Sequence, residues 1–90
     1  MKDNILIINR RDNVAVALRT LGPGEMASGT GVEAFPVLEA IPVSHKIALT
    51  DIVEGEAIIK YGETVAVSIR SIKKGAWVHT HNLESKRWKR

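Results

Sequence analysis

Residues 76 to 85 read AWVHTHNLES, and the two histidines set one residue apart, His79 and His81, are the first residues able to do chemistry. On a strand, residues two apart share a face, which sends Trp77, His79 and His81 one way and Val78 and Thr80 the other. Two imidazoles so placed can converge on one divalent ion, and neutral imidazole suits Zn, Fe, Mn or Ni. Two ligands do not complete a site. With no cysteine in the chain, further donors must come from His45, a carboxylate or a partner chain. The plainer alternative is a pair of polar rings at a strand end, bonded to nearby backbone or water. Asn82 suits a turn or a polar site equally. His45 and Lys46, in PVSHKIAL, stand together as a second basic pair. Asp51, Glu54, Glu56 and Glu63 read as solvated turn charges, with no two spaced for acid–base work.

The elements that must position these residues are short strands. VAVAL, KIAL, AIIKY, TVAVSI and WVHT alternate or run apolar, are rich in β-branched residues and are too short for helices. KYGET, with Gly62 at its centre, predicts a hairpin. Pro36 and Pro42 interrupt EAFPVLEAIPV and forbid a central ladder strand there. GPGEMASGTG is glycine-rich, but no helical pattern follows it and it lacks the Lys-Ser/Thr ending of a phosphate-binding loop, so it reads as a flexible loop.

A phrase recurs three times along the chain. ALRTLGPGEMA (17 to 27), ALTDIVEGEAI (48 to 58) and SIRSIKKGAWV (68 to 78) each set two apolar anchors three residues apart and then a glycine. The glycines, Gly24, Gly55 and Gly75, each predict a sharp reversal after a strand, because glycine takes positive φ without penalty. The expectation is a mostly β fold of short strands and glycine turns, with little helix.

Composition narrows the function. Ninety residues make one domain, burying about 60–65% of its unfolded surface, so a deep self-contained catalytic cleft is not expected and a partner surface is. Of the 13 lysines and arginines, Lys86, Arg87, Lys89 and Arg90 lie in the tail KRWKR, which leaves nine against 10 acidic residues in positions 1–85. Nucleic-acid-binding domains carry their basic patch on the folded body, so nucleic acid is not an expected partner. The division expected is a domain over 1–85 and a basic tail over 86–90, with Trp88 docked on some apolar surface. Ile5 to Ile8 is too short an apolar run for a secretory signal or a membrane span, so a cytoplasmic protein with no membrane association is expected.

Three stretches taken in order carry a family likeness: IPVSHKIAL, EAIIKYGE and the closing HTHN. From Ile41 to Glu84 the chain resembles the N-terminal domain of the altronate and galactarate dehydratase family, and DNVAVAL resembles that family's opening strand. The resemblance implies an SAF domain with a β-clip fold, as in type III antifreeze proteins and the C-terminal domain of sialic acid synthases. Its form, beginning at Met1 and closing soon after HTHN, resembles the members in which this domain is a separate small subunit, the small subunit of sulfolactate sulfo-lyase among them. The implied activity is β-elimination from a sugar acid or related hydroxy-carboxylic acid, by a component of a lyase that is not catalytic alone. A large dehydratase or lyase subunit is the implied partner, and a divalent metal (Fe, Mn, Mg or Zn) shared with it the implied cofactor. Carried over by position, His45, Lys46 and Asn82 are expected at the substrate, and His79 and His81 at the metal; no catalytic residue is assigned. The alternative is a non-catalytic SAF module that binds a carbohydrate acid or a protein. An isolated copy is expected to expose apolar surface and to self-associate through it.

Overall fold

The computed structural model describes residues 2–85, so the KRWKR tail and the docking expected of Trp88 lie outside the described residues. Within that span the expected strands form. Val14–Ala17 is β2, Lys46–Ala48 is β5, Ala57–Lys60 is β6 and Glu63–Ser68 is β7. Five further short strands join them: Ile5–Leu6 (β1), Met26–Ala27 (β3), Phe35–Pro36 (β4), Trp77–Val78 (β8) and Leu83–Ser85 (β9). No helix occurs among the described residues. All pairing is antiparallel, in a four-stranded sheet ordered β1-β2-β5-β8, a two-stranded ribbon β3-β4 and a three-stranded sheet β6-β7-β9.

The hairpin predicted at KYGET is present, with Lys60 opposite Glu63 and Tyr61 and Gly62 at φ 59° and 77°. Two consecutive left-handed residues make the tight two-residue turn whose twist matches the flanking strands. Val65 is left without a partner where the register shifts, Ile58 facing Ala66 and Ile59 facing Thr64, which is a β-bulge. Pro36 does sit in a strand, but one of a two-stranded ribbon with no further neighbour to satisfy, as its missing N–H requires. GPGEMASGTG differs from the loop expected of it. It holds the Gly24 turn and β3, and Ala27 is fully buried.

The recurring phrase has four copies. Gly24, Gly55 and Gly75 all take positive φ (88°, 89° and 92°), and so does Ser44 (72°), which follows Leu38 and Ile41 at the spacing of the other anchors. Serine in place of glycine hides this copy from a search keyed on glycine. The four turns pair off at an offset of 31 residues, Gly24 with Gly55 and Ser44 with Gly75, and the hydrogen bonds repeat at that offset. Leu21 and Ile41 exchange backbone bonds as Ile52 and Ile72 do, and Gly24 donates to Val37 as Gly55 donates to Ser68. Glu25 accepts from Gly22 N–H at 2.7 Å and Glu56 from Val53 N–H at 2.8 Å, closing equivalent turns. The Glu25 carboxyl is held below its usual range, by that backbone bond first and then by Arg19.

The cores obey the same relation. One is built on Ala17, Leu21, Ala27, Phe35, Ile41 and Ile47; the other sets Ala48, Ile52, Ile58, Ala66, Ile72 and Val78 at the corresponding positions. The chain is therefore two similar half-domains fused along the four-stranded sheet, with β5 paired to β2 of the first half and β8 of the second.

Candidate functional site

Strand β8 ends sooner than the WVHTH pattern predicts. After Val78 the backbone turns, because Asn82 closes it on itself. Its own N–H donates to His79 O at 2.9 Å, and its side-chain Oδ1 accepts from His79 N–H at 2.9 Å. Its Nδ2 donates to Trp77 O at 2.8 Å. Asn82 is buried, at 5% exposure, so its amide faces these partners and not the solvent. The turn that results carries His79 and His81 off the sheet at the β8 end.

The rings nevertheless gather, around Trp77. His79 stacks on the indole with centroids 5.4 Å apart and planes within 8°. His81 is tilted against the same indole at 5.1 Å. The register of β5 on β8, with Ile47 opposite Trp77 and Lys46 opposite Val78, brings in the third histidine, His45, just before β5. Trp77 Nε1–H donates to His45 Nδ1 at 3.1 Å, and the His45 and His79 rings lie 4.7 Å apart. Glu39 accepts the Trp77 backbone N–H at 3.0 Å. Three of the five residues singled out in the sequence, His45, His79 and His81, thus meet at one indole, and a fourth, Asn82, holds the backbone that carries it.

Trp77 is the member that sequence reading passed over. The alternation puts it on the face of the histidines, and an indole two residues before His79 on that face is the one local signal it gives.

Lys46 is half-buried on β5. Its ammonium is pulled below the ordinary lysine range by burial first and by Lys60 second. It also lines a recess of about 260 Å³ with Lys60, Tyr61, Val65, Leu83 and Ser85. His79 is likewise pulled below the ordinary imidazole range, first by partial desolvation and then by His45, Lys46 and His81 around it. Such a cluster favours whatever brings negative charge to it.

The metal expected at His79 and His81 meets a test here. Among the described residues no three histidine or carboxylate side chains come together as a metal-holding group. His81 Nε2 lies 3.2 Å from Asn82 Nδ2, an amide nitrogen that can only donate. The described residues do not build a metal centre by themselves.

Comparison with known proteins fixes the family. The family model described as the altronate/galactarate dehydratase SAF domain matches residues 3–86, nearly the whole chain. The chain belongs to that family. It is 36% identical to (2R)-sulfolactate sulfo-lyase subunit alpha of Chromohalobacter salexigens, covering 81% of this chain and 83% of that one. It is 37% identical to altronate dehydratase of Bacillus subtilis over 87% of this chain, but spans only 16% of that enzyme. Galactarate dehydratase (L-threo-forming) of Escherichia coli is 35% identical, and the chain spans 13% of it. The same domain therefore matches both a short subunit of similar length and a small part of much longer enzymes. No helix among the described residues is long and apolar enough to cross a membrane.

Proposed function

We propose that this chain is the small subunit, or the detached N-terminal-type domain, of a lyase acting on a sugar acid or related hydroxy-carboxylic acid, and that it completes the active site of a separate large catalytic subunit. The observation that carries the reading is the cluster of His45, His79 and His81 about Trp77, with Lys46 alongside, in a domain whose relatives are a sulfo-lyase subunit and sugar-acid dehydratases. In β-elimination a base takes the proton α to the carboxylate and the β carbon releases hydroxide or sulfite. The enol left behind then becomes a ketone. Charge grows on the carboxylate oxygens as the proton leaves, and donors held ready around it lower the barrier.

This chain's part is to supply such donors. The histidines present N–H groups, Lys46 offsets the charge of the acid, and Asn82 acts through the turn it holds. The large subunit supplies the base and the remaining walls of the site. A shared divalent metal belongs to the proposal only with most of its ligands on the large subunit. The second subunit is supported by the relative that is itself named as a subunit and has similar length.

The test is capture of large-subunit partners from native lysate with the tagged full chain, followed by assay of the purified pair on altronate, galactarate and (2R)-sulfolactate. Recovery of a large lyase subunit, and turnover that needs both chains, is the expected result. Capture of no lyase subunit would instead make the chain a non-catalytic binding module.

A further inference from the structure

Two ring nitrogens of the cluster face donors whose polarity is beyond choice. An indole N–H only donates, so the His45 Nδ1 it meets at 3.1 Å must carry the lone pair. The proton of neutral His45 then sits on Nε2. Asn82 is equally constrained, because two backbone groups fix which way its amide points. The oxygen takes the His79 N–H and the nitrogen gives to the Trp77 carbonyl. The remaining Nδ2 hydrogen goes to His81 Nε2 at 3.2 Å. Neutral His81 then carries its proton on Nδ1, the less common tautomer of a free imidazole.

A histidine that binds a metal through one nitrogen ordinarily donates its other N–H to a carbonyl or carboxylate. Here that polarity is reversed at both rings. Each accepts on the protein side, so each has an N–H, and no lone pair, left for a ligand. We propose that Trp77 and Asn82 are positioning residues that fix His45 and His81 as neutral N–H donors, and that these two rings hold the anionic oxygens of a small acid, a carboxylate or a sulfonate, and not a metal ion. His79 differs, since no described residue hydrogen-bonds its ring. It is the one imidazole of the three whose lone pair can still turn outward. The tautomers stand on the hydrogen bonds alone; the ligand class rests on the lyase reading above.

The experiment is two-bond ¹H–¹⁵N correlation of the histidine rings in the full chain, ¹⁵N-labelled at histidine, near pH 7.5. His81 is expected with its proton on Nδ1 and His45 with its proton on Nε2. Trp77→Phe keeps a ring for His79 to stack on but removes the donor, and should return His45 Nδ1 to the averaged shift of a free imidazole while His81 stays fixed. Sodium lactate and methanesulfonate, added at millimolar concentration, should move the His45 and His81 ring signals, and equimolar zinc chloride should move neither. A proton on His81 Nε2, or stoichiometric zinc binding that shifts His81, overturns the proposal in the unaltered chain, whether or not any variant folds. Capture of a large subunit can fail while the tautomers hold, and the tautomers can fail while capture succeeds, so the two readings are separable.

Discussion

At the scale of single residues, the histidines are not interchangeable. His79→Ala combined with His81→Ala should lower activity of the assembled enzyme by about 100-fold or more, the range typical of lost electrostatic donors. Both side chains are at least partly exposed, so circular dichroism should be unchanged and the melting temperature within a few degrees. Loss of the fold in that variant would make the histidines structural. The lowered proton affinity of His79 also has a sign. Its folded-state value lies below the ordinary 6.5. As pH falls through that ordinary value the unfolded chain takes up the proton first, so His79 takes nothing from stability above it and erodes stability as pH falls below it. A ¹H titration should place the His79 midpoint under 6.5, and an anionic ligand should move it upward. A midpoint at or above 6.5 without ligand would contradict the desolvation of His79 and, after it, the influence of the basic side chains around it.

At the scale of elements, the two non-repeating details of the turns give the sharpest tests. Ser44 holds φ 72° with a Cβ attached, so Ser44→Gly should raise stability by about 0.5–1 kcal/mol in urea unfolding. Gly75 is the opposite case. It takes φ 92°, and an added Cβ would run into the Pro36 carbonyl oxygen, which is backbone and cannot step aside. Gly75→Ala should therefore cost at least about 2 kcal/mol. These same positions show what was legible in the sequence. Alternation in VAVAL and TVAVSI marks strands because each must bury one face, and the glycines at 24, 55 and 75 mark turns because other residues resist positive φ. The copy at Ser44 was hidden, since nothing local says a serine will accept that conformation when the sheet on either side enforces it. Strands as short as Ile5–Leu6 and Met26–Ala27 carry too few residues for a period to show. The early end of β8 was hidden for a different reason. WVHTH has a strand's pattern, and only the buried Asn82 amide, bonding back to residues 77 and 79, turns the chain away.

At the scale of the whole molecule, the site lies open at one end of the four-stranded sheet, with apolar side chains beside it. Leu38 is 51% exposed, yet it packs at Gly75 just before β8 and its neighbour Glu39 holds the Trp77 backbone. A subunit that reaches from the histidines along β8, past Glu39 to Gly75, would cover Leu38 as well. Leu38→Glu should weaken capture of the large subunit by about 10-fold or more without changing the melting temperature by more than a few degrees. Unchanged capture would place the docking face elsewhere.

The fusion of two half-domains along β5 has a kinetic side. β5 closes both halves, pairing with β2 some thirty residues before it and with β8 some thirty after. Neither half can be sealed by local contacts, and pairings so distant in sequence form slowly and together. His45 enters the cluster from the start of β5, while Trp77, His79 and His81 arrive with β8 and the turn after it. The full ring cluster therefore comes into being only as β5 pairs with β8. A partner that recognises those rings is, by that fact alone, an inspector of finished chains, since a half-folded copy has nothing to show it.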